Sequence, residues 1–145
     1  MIRLPLFDNA IFINLTLGCD NLEKFIQSQL IHTPELNVIE WYALRVLFMI
    51  SDSITLTDLA ELFGKKPNSF SDVVKNLKKH NYITKKQHPF DHRKKILELT
   101  DKAKQIRHDF LAHAYDLDDK INTYVGNSDI QHMLQILSRL KQMLI

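Results

Sequence analysis

Ten lysines and arginines fall between Lys65 and Lys95, against two carboxylates, Asp72 and Asp91. That span carries +8 in a chain whose formal total is +2, so the remainder holds −6. A basic centre between acidic flanks attracts a polyanion, because counterion release dominates affinity for phosphate chains. Two groups of residues stand out within it. Asn68, Ser69 and Ser71 are short hydrogen-bonding side chains fit for base edges, while Lys66, Lys75 and Lys79 suit phosphates. The second group is His88-Pro89-Phe90-Asp91-His92-Arg93-Lys94-Lys95, where Arg93 and Lys94 are the candidate contacts. Asp91 and Arg93, two apart, share a face, so the carboxylate holds the guanidinium extended toward a narrow groove. Taken without a partner, the same pair is a surface ion pair worth under about 1 kcal/mol.

Chemistry of this kind needs a rigid platform. Phe70, Val73, Val74 and Leu77 recur at i, i+3, i+4 and i+7, which predicts a helix with Asn68, Ser69, Ser71, Asp72, Lys75, Asn76, Lys78 and Lys79 opposite. Pro67 suits its first turn, and Asn81 tolerates the left-handed backbone at its end. Gly64 predicts a tight turn from a preceding short helix, whose apolar face is Leu59, Ala60, Leu62 and Phe63 and whose start is placed at Thr57 or Asp58. Tyr82–Lys86 and Lys94–Leu99 read as the arms of a hairpin with a seven-residue tip, Gln87–Arg93, and Ile54-Thr55-Leu56 as an edge strand beside it. Helix, tight turn, helix, then a hairpin with a cationic tip is the layout of a winged helix-turn-helix.

The flanks are helical. Ile11, Leu15, Gly18, Leu22, Phe25 and Gln29, with Phe12, Cys19 and Ile26 beside them, form a stripe wide enough for burial on more than one side. Asp8 or Asn9 would cap that helix, Thr33-Pro34 would end it, and residues 2–7 form an apolar leader. Asn37 would cap a second helix bearing Trp41, Leu44, Arg45, Leu47, Phe48 and Ile50, broken at Asp52-Ser53. Thr100-Asp101 opens a long fifth helix through Ile106, Phe110, Leu111, Ala114, Leu117 and Ile121. Gly126-Asn127-Ser128 separates it from a sixth helix with Ile130, Met133, Leu134, Leu137, Leu140, Met143 and Leu144 in one stripe.

With 145 residues, 45% hydrophobic and 25% charged, the chain reads as one globular domain, mostly α with a small two- to three-stranded wing. One cysteine excludes an intramolecular disulfide and suits a reducing cytoplasm. No apolar run reaches membrane-span length, and the N-terminus lacks the pattern of a signal peptide. Neither a glycine-rich phosphate loop nor a nucleophile motif is present, so the chain does not read as an enzyme, and no cofactor is implied.

Leu56-Thr-Asp-Leu-Ala-Glu-Leu-Phe-Gly, Leu77-Lys-Lys-His-Asn, Asp91-His-Arg and Leu99-Thr100 together resemble the MarR family of winged-helix regulators. The similarity is most specific over Leu56–Ala103, about a third of the chain. It implies a homodimer joined through the helices of 1–35 and 101–145, with the winged unit at 53–100. It further implies recognition helices entering successive major grooves of a pseudo-palindromic duplex, with the wings in flanking minor grooves. Two positions depart from the family pattern: Asn81 stands where glycine is usual, and Asp72 where a basic residue is frequent.

Regulation would then follow from the same likeness. Some relatives sense peroxides through a lone cysteine in the first helix, which makes Cys19 the redox candidate. Its place on the Phe12–Ile26 stripe, beside Asp20 and away from any cation, reads instead as buried and inert. Some relatives bind zinc in regions corresponding to His32, Asp109 and His113, but surface or dimer-packing histidines are the better reading of these residues, and no metal site is expected. Trp41, Tyr42 and Arg45 would suit a small aromatic or anionic effector, such as a phenolic acid. The expectation is a cytoplasmic, homodimeric, sequence-specific DNA-binding regulator that represses transcription. The alternative is a winged-helix module that docks an acidic protein through its basic face.

Overall fold

The computed structural model describes residues 11–50 and 53–143. The leader, the Asp8/Asn9 cap and the Asp52 break lie outside the described residues. The elements run α1 (Ile11–Ser28), α2 (Val38–Ile50), β1 (Ser53–Thr55), α3 (Leu56–Leu62), α4 (Pro67–Lys79), β2 (Ile83–Gln87), β3 (Lys95–Leu99), α5 (Asp101–Val125) and α6 (Asn127–Met143). Six helices and one small sheet match the expected class. The chain forms two compact units, one through Ile106 and one from Arg107.

Within the first unit, burial follows the apolar periodicity. Trp41, Leu44, Leu47 and Phe48 of α2, Leu59 and Ala60 of α3, and Phe70, Val74 and Leu77 of α4 are all buried, as are Ile83, Leu97 and Leu99 of the sheet. Helix α4 packs against both α2 and α3. Truncating one of these large side chains would leave a cavity costing about 2–5 kcal/mol. The sheet has the order β1-β3-β2, antiparallel throughout, with Ile54 opposite Leu97 and Ile83 opposite Leu99.

Helix starts are set by side-chain caps. Asn37 and Glu40 form a reciprocal box: Glu40 N donates to Asn37 Oδ1 and Asn37 N to Glu40 Oε2, each at 2.9 Å. That pairing lets Glu40 sit buried. Helix α3 starts earlier than the Thr57 or Asp58 expected from its sequence. Its cap is Thr55, whose Oγ1 accepts from Asp58 N at 3.1 Å and whose hydroxyl donates to Asp58 Oδ2 at 2.6 Å. The box partner is the acid three residues on, so Glu61 has no part in it. Thr100 opens α5 as expected, accepting from Ala103 N at 3.2 Å.

Other boundaries also differ. Helix α1 ends at Ser28, ahead of Thr33-Pro34; β1 sits one residue earlier than expected and β2 one later, while β3 starts one later and ends at Leu99 as expected, leaving 88–94 as the tip. Leu62 and Ile50 are exposed, at 60% and 51%, so the apolar faces of α3 and α2 are narrower than their sequences imply. In α1, Ile26 alone is buried among the described side chains, while Leu17, Leu22 and Phe25 are exposed. Among the described residues the stripe is therefore not buried on several sides.

In the second unit, Phe110, Ala114 and Leu117 are the buried positions of α5. Gly126, at φ +94°, turns the chain, with its N–H donating to Asn122 O and its carbonyl accepting from Ile130 N. None of the described residues of α6 is buried, and Met133, Leu134, Ile136 and Leu137 are exposed.

Candidate nucleic-acid interface

Backbone closures flank helix α4, one ending α3 just before it and one ending α4 itself. Before it, Gly64 takes φ +62° while Lys65 N reaches Ala60 O at 2.9 Å and Gly64 N reaches Glu61 O at 2.8 Å. After it, Asn81 takes φ +61° while Tyr82 N reaches Leu77 O at 3.0 Å and Asn81 N reaches Lys78 O at 2.9 Å. Both are Schellman closures with a left-handed residue just past the helix. Asn81 thus fills a position more often held by glycine. The Phe63 and Phe70 rings meet at 5.0 Å and fix α3 against α4.

With Phe70, Val74 and Leu77 turned inward, the 13-residue helix of about 20 Å presents Asn68, Ser69, Asp72, Lys75, Lys78 and Lys79 to solvent. Lys66 is exposed at the N-cap, in extended backbone and with no side-chain capping bond of its own. Ser71 is half-buried, and its hydroxyl donates to Asn68 O at 2.6 Å. Its donor is thus used within the helix, which leaves only acceptor capacity for a base edge.

Sequence reasoning missed the brace at the far end of α4. Lys102 Nζ, from α5, donates to His80 O at 2.8 Å and lies 4.3 Å from the Tyr82 ring centroid. The Tyr82 hydroxyl donates to Glu35 in the α1–α2 loop. Thr100 adds a hydroxyl bond to Asn81 O at 2.7 Å. Burial, then the bond to Glu35, pushes the Tyr82 hydroxyl well above its ordinary pKa. Partial burial raises the Glu35 carboxyl, but Tyr82, its own backbone N–H, Lys102 and His80 outweigh it and hold the group below its ordinary value.

The wing tip is similarly closed. His88 N donates to Lys94 O at 3.1 Å and Lys94 N to Asp91 O at 3.0 Å. Gln87 Nε2 donates to His92 O at 2.9 Å. Asp91 Oδ1 accepts from Arg93 N at 3.0 Å and lies 3.5 Å from Arg93 Nε, so the expected pairing is present. The Arg93 side chain is nonetheless 95% exposed, and Lys94 is exposed beside it. Lys86 pairs with Glu98 across the strands.

The regulatory candidates are placed differently from one another. Trp41 is buried, with Arg45 Cζ 5.7 Å from its ring centroid, so it belongs to the core. Tyr42 does line a cavity of about 280 Å³ between α1 and α2, with Cys19, Leu22, Ile26 and Val38, and with Glu23 as a charged group. Cys19 is exposed, contrary to the buried reading; Ile26 alone is buried among the described side chains of its helix. His32 lies in the loop after α1, and Asp109 and His113 lie four apart on α5. Among the described residues no cluster of three or more His, Cys, Asp or Glu could hold a metal ion. None of the described helices is long and apolar enough to cross a membrane.

A family model described as the B-block binding subunit of TFIIIC matches residues 51–128. No curated protein matches the sequence. Among solved structures, reduced AbfR bound to DNA superposes with a TM-score of 0.80 over 94% of each chain, at 14% identity. The S. aureus MepR–DNA complex gives 0.76, covering 92% of this chain and 96% of that one, at 15% identity. A MarR protein from Peptoclostridium difficile gives 0.77, covering 99% and 93%, also at 15% identity. At such identities the likeness is one of fold, and the fold is that of the MarR-type winged-helix regulators.

Proposed function

The chain belongs to the family of the B-block binding subunit of TFIIIC, a winged-helix DNA-binding family, and from that premise we infer that it is a sequence-specific regulator of transcription acting on duplex DNA. The observation that carries this reading is the pairing of two cationic features on one supported unit. One is the exposed face of α4, the other the outward Arg93 braced by Asp91. A helix of this size fits a major groove, and an extended arginine fits a narrow minor groove beside it. Asn68, Ser69 and Ser71 address base edges in this reading, while Lys66, Lys75, Lys79 and Lys94 address phosphates. Solved proteins of the same fold that are bound to DNA support it.

The working unit is a homodimer on a pseudo-palindromic site. Exposed apolar residues on α1 and on α6 support this, since surfaces of that kind favour burial against a second copy. The role is repression, relieved when an effector binds one spacing of the recognition helices better than another. Its site is the α1–α2 cavity, where an apolar wall, Tyr42 and the Cys19 thiol would meet a small ligand or an oxidant.

Selection of random duplexes on the purified protein, followed by gel-shift titration of the winner at two salt concentrations, tests the reading. A two-fold symmetric motif is expected. If about eight phosphates are neutralised, log affinity falls against log salt with a slope near −7. No enrichment over bulk DNA would overturn the reading and favour docking of an acidic protein.

A further inference from the structure

The wing carries an aromatic ring that neither the core nor the cation pairing uses. Phe90 is 93% exposed at the projecting tip. Its backbone is nevertheless tightly placed: His88 Nδ1 accepts from both Phe90 N and Asp91 N at 3.2 Å, and the His88 ring stands edge-on to Phe90 at 6.1 Å. Pro89, between them, fixes its own φ and restricts His88. The tip thus holds a large apolar side chain in water, in an ordered turn, three residues before the exposed Arg93 guanidinium.

Leaving a phenyl ring in solvent forgoes about 1.5–3 kcal/mol of burial, and a polar residue would serve the turn equally well. The surroundings indicate what covers the ring. Arg93 and Lys94, in the same tip, are both exposed, which suits a phosphate-lined groove. Proteins that place cations in the minor groove also drive apolar side chains between base pairs there, opening a step and bending the duplex.

We propose that Phe90 is a wedge that inserts at a base step of the flanking minor groove beside Arg93. Selectivity at that position comes from the ease of unstacking, so flexible pyrimidine–purine steps are favoured over stiff A-tracts without any hydrogen bond to a base. The inference rests on the duplex-DNA reading above and adds a contact and a specificity that the reading lacks.

The test uses the full chain and the selected duplex, with 2-aminopurine placed in turn at each flanking step. Wild-type protein should raise the 2-aminopurine emission at one step on each side, and Phe90→Ala should not. Phe90→Ala should weaken binding about tenfold, within the roughly five- to hundredfold range that loss of one base–aromatic stack brings. Phe90→Leu, which keeps an apolar wedge, should recover most of it. Replacing the step with an A-tract should weaken the wild type but not Phe90→Ala, whose Arg93 still favours the narrow groove. The exposed ring supports nothing in the core, so thermal midpoints should agree. If Phe90→Ala binds and brightens the probe as the wild type does, the wedge is overturned while the DNA reading stands. If the wild type binds no duplex, and Arg93→Ala behaves identically, both fall.

Discussion

The Tyr82 hydroxyl donates to the Glu35 carboxylate across 47 residues of sequence, tying the residue that closes α4 to the loop between α1 and α2. Together with Lys102 on His80 O, this bond sets the end of α4 against two other elements.

That bond has a pH signature. Glu35 has a lowered folded-state pKa, so its contribution is present above its ordinary value of 4.5 and is lost as pH falls through the folded value. Tyr82 is raised, so its contribution is complete below its ordinary 10.0 and is lost as pH rises beyond that. Tyr82→Phe should cost about 1 kcal/mol near neutral pH and flatten both limbs. Urea midpoints at pH 4, 7 and 10.5 measure this; parallel curves for wild type and variant would show that the bond contributes nothing.

Arg93→Ala should weaken duplex binding at least about tenfold while leaving the melting temperature unchanged, because an exposed ion pair contributes under about 1 kcal/mol to folding. Asp91→Asn should fall between the two, since it frees a guanidinium that is still present. Gel shift and calorimetry on the same preparations separate binding from stability.

On the face of α4, Lys75→Ala or Lys79→Ala should each reduce the salt slope by about 1.8 for a dimer, two phosphates at about 0.9 each. Asp72→Asn should tighten binding to all duplexes alike, because an exposed carboxylate on this face repels the phosphate chains. A change confined to one sequence would instead make Asp72 a base reader.

Thr55→Ala should destabilise the winged unit by about 1 kcal/mol, and Thr57→Ala by a few tenths at most. Equal losses in thermal denaturation would contradict the Thr55–Asp58 box.

Much of the winged unit is legible in the sequence, because local signals and tertiary packing agree there. Gly64 and Asn81 announce left-handed closures by residue type alone, and Phe70, Val74 and Leu77 announce which face of α4 is inward. Asp91 and Arg93 announce their pairing by spacing. The Thr55 cap is obscured because Thr57 with Glu61 offers a competing pattern, and only the strand partner of Thr55, Ile96, settles where the helix begins. Glu35 and Tyr82 are too far apart in sequence for any periodicity to join them. Cys19 misleads because an apolar stripe suggests burial, whereas Ile26 alone is buried among the described side chains of α1. The exposure of Phe90 is equally hidden, since a single aromatic in a polar tip gives no sign of whether it folds back or projects.

The closures at Gly64 and Asn81 also bear on how such a protein can change over generations. The turn before helix α4 is fixed by the main-chain closure of α3, its end by a closure of its own, and its inner face anchors it. Exposed positions 68, 69, 72, 75 and 79 are therefore open to replacement with little loss of stability. On the proposed reading of this face, binding preference can drift, or be rewritten by design, while the scaffold stays as it is. Duplicated copies of this gene could thus acquire separate target sites by a few surface substitutions, with no compensating repair of the interior.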